Sequence, residues 1–363
     1  MKKAVKWLLL IIPPLVFLWA WHHFSASSDL AGWYAVHISR PVRDAAGAFC
    51  ALFPFSLMEL MYILLGLGLI IFLARTVYLA AKRKIRLGGI TERFCALLLA
   101  AAYIVTGFLA VFSVDYRAPG FVQRSGFHKE EMSAQALFSA AEFFVTRAME
   151  YADRVPRDED GLFCEAPSEY LSRSGAIYQE LGRRFGLLAA ESRTPKQMLF
   201  FSDIMTAMGF TGVYFPFLGE SNVNVRCPAA FIPATAAHEL AHQRGITSEE
   251  EANFLGVTAA VLSGDDTYAY SGYLSGALYL MNAVYGQSPE KWRQLRSTFR
   301  GGFLADWEYN SDFWPQKRST VTEASEKAYD TYLKASGDGR GMLSYGACVD
   351  LIVSYYLQGG YDG

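Results

Sequence analysis

The hydrophobic residues of this chain are concentrated in its first third, where long apolar runs alternate with short polar segments. A helix needs about 20 mostly apolar residues to cross the hydrocarbon of a bilayer. The pattern therefore predicts three transmembrane helices, at about residues 4–21, 57–81 and 94–114. The last of these is uncharged, and in the second Glu59 lies near one end while Arg75 can extend towards the other. Pro13 and Pro14 predict a kink in the first, which a membrane helix tolerates.

The first apolar segment has a second interpretation as a cleaved signal peptide. Lysines precede it, and the small residues Ser25, Ala26 and Ser27 follow it. Tryptophans near both of its ends are instead typical of a retained helix anchored at the membrane interface. The sequence leaves cleavage open, and the predicted location of the following residues is the same in both cases.

Basic residues indicate the orientation of the spans. Lysines precede the first span, and the loop between the second and third contains Lys82, Arg83, Lys84, Arg86 and Arg93. The positive-inside rule places both stretches in the cytoplasm. We therefore predict a multi-pass protein of the cytoplasmic membrane, with a cytoplasmic N-terminus, a membrane domain at 1–116 and an extracytoplasmic domain at 117–363. The apolar outer loop 22–56 is predicted to lie on the membrane surface as an amphipathic segment, with a buried re-entrant segment as the alternative.

The remainder of the chain has mainly helical periodicity. Helices are predicted at 129–153, 167–190, 316–335 and 341–358, with a loop at 157–165. Residues 209–225 instead combine aromatic and β-branched residues with glycines, which predicts a short β-hairpin with its turn near 217–220. The predicted fold class is mostly α: N-terminal transmembrane helices, then an α-rich domain with a short β-hairpin or edge strand.

Composition excludes several kinds of partner. The net charge is −2 over 363 residues, and the chain has neither a basic stripe nor a phosphate-binding glycine loop, so no nucleic-acid partner is predicted. The five cysteines lack the C-x-x-C spacing of a zinc knuckle. One disulfide among Cys164, Cys227 and Cys348 stays open.

The candidate metal-binding and catalytic residues are concentrated in one stretch, residues 235–256, which reads TAAHELAHQRGITSEEEANFLG. It contains a HExxH motif. On a helix His238 and His242 point the same way and can bind one zinc ion, while Glu239 can act as a general base towards water activated by the metal. Pro233 is placed to start this helix and Gly245 to stop it. The alternative to a metal site is that the two histidines only cap a surface helix.

A catalytic zinc ion needs a third protein ligand, and three glutamates follow the motif. Ser248 and Glu251 have the spacing of a capping box at the start of a second helix, which would engage Glu251. We therefore predict Glu249 as the third ligand, Glu251 as the alternative, and Asn253, one turn after Glu249, as a supporting residue. Carboxylates that only complement a helix N-terminus are the remaining possibility.

Several blocks of the sequence resemble an uncharacterised bacterial membrane family, domain-of-unknown-function family 3810. The blocks are LFPFSLMEL, MTAMGFTGVYFPFLGESNVN, HELAHQRGITSEEEANF and EKAYDTYLKASGDGRGMLSYGACVDLI. The resemblance covers nearly the whole chain and implies a membrane-anchored, peptidase-like zinc protein. In addition, Glu249-x-x-Ala252-Asn253 is similar to the E-x-x-A-D/N motif of gluzincin peptidases, in which the first glutamate is the third zinc ligand. The spacing from the second histidine is shorter here than in most gluzincins, and the predicted extracytoplasmic location differs from that of many membrane members.

The zincin resemblance also implies a substrate cleft beside an edge strand that precedes the HExxH helix and pairs with extended substrate. The candidates to line this cleft are Tyr214, Phe215, Asn222 and Asn224. Core aromatic residues and turn asparagines are the alternative interpretation. Tyr345 is a candidate to stabilise an oxyanion, against a packed core tyrosine.

These observations predict a membrane-anchored, zinc-dependent metallopeptidase. Its cofactor is Zn²⁺, its substrate a peptide or protein, and its other partner the lipid bilayer. A non-catalytic zinc-binding sensor or scaffold and a cell-wall peptide amidase are the alternatives. The sequence fixes neither the cleavage specificity nor the oligomeric state.

Overall fold

The computed structural model describes residues 2–24, 26–336 and 344–361, with residues 2–6, 8, 336 and 344–346 described by their backbone alone. The described chain is mostly helical. Its helices are α1 (Lys2–Phe24), α2 (Ser28–Tyr34), α3 (Arg40–Cys50), α4 (Leu57–Ala81), α5 (Leu87–Val111), α6 (Phe121–Ser125), α7 (Ala134–Ala152), α8 (Pro167–Ser172), α9 (Gln179–Arg184), α10 (Ser202–Met208), α11 (Ile232–Gln243), α12 (Glu249–Val261), α13 (Asp266–Gln287), α14 (Pro289–Arg296), α15 (Gly301–Lys317), α16 (Thr320–Ser336) and α17 (Ser344–Leu357). The strands are β1 (Lys196–Met198), β2 (Gly212–Phe215) and β3 (Glu220–Asn224).

Two of the described helices, α4 and α5, are long and apolar enough to cross a membrane. Each has 25 residues, and only 11% and 6% of their most apolar windows are buried. The core helix of a soluble protein would be buried, so this exposure indicates membrane association. The first predicted span lies within α1, whose described apolar stretch, Leu9–Phe24, is shorter than the other two. The number of spans and their orientation stay predictions.

The segment between α1 and α4 folds as α2, a π-helical turn at Ala35–Ser39, and α3. Its buried side, with Ala31 and Ala35, packs against Val114 just after α5. Its other side exposes large apolar side chains, among them Trp33, Phe49 and Leu52. Helices that lie at a membrane surface have two sides of this kind, but the placement of residues 22–56 on the membrane surface stays a prediction.

The strands form one small sheet in the order β1-β3-β2. β2 and β3 are the predicted hairpin, paired antiparallel with Gly212 opposite Val223. β1 pairs with β3 in parallel, and the sequence did not predict it, because three residues are too few to show periodicity. β3 is therefore central, and β2 lies at an edge of the sheet.

Two buried glutamates join the sheet to the apolar helix α4. Glu220 of β3 accepts hydrogen bonds from the hydroxyl of Ser56 and the backbone N–H groups of Leu57 and Met58, at 3.0–3.1 Å. Its carboxylate thereby supplies hydrogen-bond acceptors for N–H groups in the first turn of α4 that have no partner within the helix. In return, Glu59 of α4 accepts three backbone N–H bonds from residues 199–201, at 2.8–2.9 Å. Glu59 is thus a structural carboxylate in the first turn of the predicted span.

A buried ion pair joins α3 to the turn that follows α5. Arg43 Nη2 of α3 lies 2.5 Å from Asp115 Oδ2, and the two side chains are 2% and 3% exposed. Removing one partner of such a pair leaves an uncompensated buried charge, so we expect Arg43→Met to lower the free energy of unfolding by about 3–5 kcal/mol. Denaturant unfolding of the full chain in detergent measures this loss.

The matched control is Arg40→Met. Arg40 lies 3.9 Å from Asp44 in a more exposed pair, which contributes about 0–1 kcal/mol. The double variant Arg43→Met/Asp115→Leu should recover most of the lost stability, because neither charge is then buried alone. Equal losses for Arg43→Met and Arg40→Met would contradict this assignment.

The helices after residue 120 surround one continuous core that includes α7, α11, α12, α13 and α17. The prediction of one helix over 167–190 is wrong, because this stretch forms two short helices, α8 and α9, separated by turns. The long buried helix α13 was not predicted, since apolar and small residues surround it on all sides and leave no polar face to mark its period. All five cysteines are free thiols.

Candidate metal centre

α11 carries the HExxH motif and begins and ends where the sequence predicted. Pro233 lies in its first turn, and Gly245 follows its last turn with a φ of +79°, a left-handed conformation that glycine adopts without strain. α12 packs closely along α11. A Cβ atom at Gly256 would come within 2.8 Å of the backbone of His238, so only glycine permits this approach. The start of α12 therefore lies against the two histidines.

The side chains of His238, His242 and Glu249 converge. The two Nε2 atoms lie 3.0 Å apart. Glu249 Oε2 is 3.4 Å from Nε2 of His238, and Glu249 Oε1 is 3.8 Å from Nε2 of His242. Zinc–nitrogen and zinc–oxygen bonds of about 2.0–2.1 Å in a tetrahedral site would separate the ligand atoms by roughly 3.3 Å. The three residues thus fit one small divalent cation.

The hydrogen bonding of His242 leaves Nε2 available as a ligand atom. Its Nδ1 lies 2.6 Å from the carbonyl oxygen of Ile246. Burial lowers the pKa of His242 to about 4, so the ring is neutral at pH 7. In a neutral ring Nδ1 donates to this carbonyl and Nε2 keeps its lone pair, the arrangement found in most metal-binding histidines.

Glu249 is ionised despite its burial. Burial raises its pKa, but the hydrogen bond with His238, the charges of both histidines and the Tyr329 hydroxyl bring it to about 2. For His238, burial lowers the pKa, yet the hydrogen bond and charge of Glu249 raise it above its ordinary value. Without a metal ion, a charged hydrogen bond between these two side chains is therefore favoured. Glu249 Oε2 has no other hydrogen-bond partner.

Glu239 lies beside the histidines, between α11 and the edge strand β2. A Cβ atom at Gly212 would come within 2.5 Å of Glu239 Oε1, so β2 passes directly over this carboxyl group. Glu239 is 3% exposed, and its Oε2 has no hydrogen-bond partner. Burial raises the pKa of Glu239 to about 8. A proton acceptor with this pKa is suited to proton transfer near neutral pH.

The raised pKa of Glu239 predicts a pH-dependent stability. In the chelator-treated protein the folded state holds the Glu239 proton up to about pH 8, whereas the unfolded state releases it near the ordinary value of 4.5. Glu239 therefore stabilises the fold below pH 4.5, and this contribution is lost as the pH rises to 8. At pH 8 we expect Glu239→Gln, which stays neutral, to be more stable than the parent by a few kcal/mol. The variant should therefore unfold at a higher temperature.

Thermal unfolding at pH 5 and pH 8, with EDTA present, measures this difference. At pH 5 the two proteins should differ little, because Glu239 is protonated in the folded parent. The lowered pKa of His242 has the opposite pH dependence, because it costs stability as the pH falls from 6.5 to 4. Both proteins contain His242, so this effect cancels in the comparison. A Glu239→Gln variant with the parent's pH profile would show that Glu239 is not buried as described.

Glu251, the alternative ligand, lies elsewhere. Its carboxylate accepts hydrogen bonds from the backbone N–H groups of Phe121 and Val122, at 2.7 and 3.0 Å. The predicted capping box is also wrong: Ser248 precedes α12 but makes no side-chain capping bond. Glu251 instead caps a different helix, α6, because the tertiary fold brings that N-terminus to it. The structure thus brings Glu249, and not Glu251, to the histidines.

Asn253 supports the cluster from α12. It is 5% exposed, and its Oδ1 accepts a hydrogen bond from the Tyr279 hydroxyl at 3.1 Å. A hydrogen bond that His238 donates to Asn253 also contributes to the raised pKa of His238. The supporting role of Asn253 at a metal site stays a prediction.

A cavity of about 1210 Å³ opens in front of the cluster. Of the four predicted cleft residues, Tyr214 and Phe215 of β2 line it. Asn222 and Asn224 do not, and here the prediction is corrected. Both lie fully buried on the central strand β3, where Asn224 donates to Thr206 and Phe210. The side chain of Tyr345 lies outside the described residues.

Sequence analysis missed two neighbours of the cluster. The Tyr329 hydroxyl of α16 donates to Glu249 Oε1 at 2.8 Å, and Gly212 borders Glu239. Tyr329 and Tyr332 are three residues apart, stack on each other and both line the cavity. Their helical spacing was visible in the sequence, but Tyr329 lies 80 positions after Glu249, and only the fold shows the contact.

Fold and site together define a mostly helical, membrane-associated protein with a buried His/Glu cluster that can hold a metal ion. The chain belongs to the family described as "Protein of unknown function (DUF3810)", whose model matches residues 34–353. This confirms the family resemblance noted in the sequence. No curated protein and no solved structure matches the chain.

Proposed function

We propose that this protein is a membrane-anchored zinc metallopeptidase. One observation carries the proposal. The ligand atoms of His238, His242 and Glu249 lie within 4.8 Å of one another, with the Glu239 carboxyl group beside them and a cavity in front. Two histidines and one carboxylate, with the fourth coordination position left open, are a usual ligand set of a catalytic zinc ion. Structural zinc sites instead fill all four positions with protein ligands.

In this proposal each residue has a defined role. His238 and His242, through Nε2, and Glu249 would hold the ion. Zinc in such a site supplies Lewis acidity and makes water acidic enough to lose a proton near pH 7. The Glu239 carboxyl group ionises at neutral pH once positive charge lies beside it. Its carboxylate then accepts the proton of the attacking water and passes it to the leaving amine. Tyr329 keeps Glu249 oriented through its hydroxyl.

The free edge of β2 supports binding of an extended peptide. The N–H of Asn224 donates to the carbonyl of Thr211 at 2.8 Å, so these two residues form a hydrogen-bonded pair. Such pairs alternate along antiparallel strands. Gly212 and Tyr214 therefore direct their backbone N–H and C=O groups away from β3, towards the cavity that both residues line. A substrate strand can pair with them in the way that edge strands bind peptides.

We further propose that α4 and α5 anchor the protein in the cytoplasmic membrane, with α1 as a third span and the metal centre on the extracytoplasmic side. The basic loop between α4 and α5 supports this orientation through the positive-inside rule. A reporter fused after residue 363 should be active only outside the cytoplasm. A reporter found in the cytoplasm would show that the proposed orientation is wrong.

Zinc content and peptide cleavage test the proposal together. The full-length protein, purified in mild detergent, should contain about one zinc ion per chain, and a His238→Ala variant should contain almost none. The zinc-loaded protein should cleave members of a mixed peptide library, lose this activity with a chelator and regain it with added zinc. Equal zinc content in His238→Ala would refute the site. Zinc without cleavage would instead favour the sensor or scaffold, and cleavage confined to cell-wall peptides would favour the amidase.

A further inference from the structure

The cavity in front of the candidate metal centre is lined mostly by apolar and aromatic side chains. Among the described lining residues, the histidine and acidic side chains are those of the three cluster residues and Glu239. The rest of the lining includes Met58, Met198, Met205, Met208, Phe108, Phe112, Phe201, Phe210, Phe215, Phe217, Phe231, Leu278 and Trp314. Methionine and aromatic side chains together form adaptable surfaces for apolar groups.

This lining selects against polar occupants. A charged side chain that entered the cavity would lose its water, and apart from the metal cluster and Glu239 the described walls offer only scattered hydroxyl and amide groups, such as those of Thr235, Ser275 and Asn310, to replace it. An apolar side chain would gain from the same transfer. Burial of one large apolar side chain contributes about 1.5–3 kcal/mol, which corresponds to roughly a tenfold or greater gain in affinity.

The cavity also borders the membrane helices. Tyr62 of α4, Phe108 of α5 and Phe112 directly after α5 form part of its wall. Tyr62 and Ile204 both line the cavity and are 47% and 52% exposed, so they lie at its opening. Tyr62 is in the second turn of α4, where a spanning helix leaves the hydrocarbon, and tyrosine is typical of that level.

The surface beside this opening is itself apolar. Leu199 and Phe200 are exposed on the loop that Glu59 fixes to the start of α4. On a protein surface facing water these two side chains would be costly, whereas at the edge of a bilayer they would be buried among lipids. In the orientation proposed above, the opening would therefore lie level with the outer surface of the membrane rather than above it.

We propose that the substrate is an apolar segment of a membrane-bound polypeptide, which enters the cavity from the bilayer surface between α4 and α10. This inference rests on the proposed peptidase function and names its substrate class. The segment's backbone pairs with the edge of β2, and its large apolar side chains occupy the space between the methionine and aromatic residues. Cleavage of soluble, polar peptides is correspondingly disfavoured.

Binding is tested separately from turnover with the zinc-loaded Glu239→Gln variant of the full chain, reconstituted in phosphatidylethanolamine/phosphatidylglycerol nanodiscs. Two fluorescent 12-residue peptides of equal length and net charge are compared, one rich in Leu and Phe, the other with Ser and Asn at the same positions. We expect at least tenfold tighter binding of the apolar peptide. To separate binding from partition into lipid, empty nanodiscs give the background. Equal or tighter binding of the polar peptide overturns the inference.

Cleavage of the same peptides by the parent protein distinguishes the two proposals. If the polar peptide is cleaved as well as the apolar one, the peptidase function stands and the substrate class is wrong. If the apolar peptide binds to Glu239→Gln but the parent cleaves neither, the cavity assignment stands and the peptidase function is wrong. A phospholipid that co-purifies at one per chain and is not displaced by the apolar peptide would make the cavity a lipid site and would overturn the inference.

The entry route is tested at Ile204. Ile204→Glu places a charge at the opening and should weaken binding of the apolar peptide at least tenfold. Ile204→Trp narrows the opening without charge and should slow association more than it changes affinity. Leu357→Glu is the control, since Leu357 is similarly exposed, at 49%, but lies on α17 away from the cavity. Unchanged binding and association in both Ile204 variants would show that the substrate does not enter here.

Discussion

Replacing Glu239 with glutamine should lower peptide turnover by about 10²–10⁴-fold while leaving zinc bound. General acid–base catalysis contributes about this factor, and glutamine has nearly the same shape but cannot accept the proton. Glu239 lies beside the three ligand residues and is not one of them. The measurement is kcat on a cleaved peptide, with zinc content determined on the same preparation.

Glu250→Gln is the matched control for this loss. Glu250 lies in the first turn of α12, immediately after Glu249, but belongs neither to the metal cluster nor to the lining of its cavity. Its variant should keep the parent's turnover. If Glu239→Gln retains full activity, the proton transfer has been assigned to the wrong residue. If it also loses zinc, the carboxyl group contributes to metal binding instead.

Zinc binding should distinguish Glu249→Ala from Glu251→Ala. Loss of a residue that only orients a ligand typically costs 10–100-fold in metal affinity, so loss of the ligand Glu249 should cost at least about 100-fold. Glu251 lies on the same helix, but its carboxylate is used by Phe121 and Val122. Glu251→Ala should therefore keep zinc affinity near that of the parent. Competition with a chromogenic chelator measures both values.

Both variants should lose stability in the absence of zinc, for different reasons. Glu251→Ala leaves two backbone N–H groups without their acceptor, which we expect to cost about 1.5–3 kcal/mol. Glu249→Ala should also cost stability near pH 7, because the lowered pKa of Glu249 means that the fold favours its charged form. Its loss leaves His238 and Tyr329 without their partner. The opposite pattern, with zinc lost in Glu251→Ala and kept in Glu249→Ala, would exchange the two assignments.

The local elements of the site were predictable because each depends on neighbours in the sequence. Pro233 and Gly245 bound α11 through their own backbone preferences. The four-residue spacing of His238 and His242 fixes their common direction on any helix. The hairpin of β2 and β3 followed from its aromatic and β-branched residues and from the placement of its glycines. The apolar runs at α4 and α5 likewise needed only their length and composition.

The tertiary structure decided everything that depends on residues far apart in the chain. From the residues themselves, the sequence ranked Glu249 above Glu251 through a capping box that does not form, and the gluzincin resemblance supported the same choice. The actual partner of Glu251 is the N-terminus of α6, about 130 residues earlier. β3 became central, and so removed Asn222 and Asn224 from the cleft, only because β1 pairs with its other edge. Backbone preference and side-chain spacing act over a few residues and can be read locally. Packing, burial and the partners of buried charges depend on which distant segments meet, and one sequence without its fold does not contain that information in a local pattern.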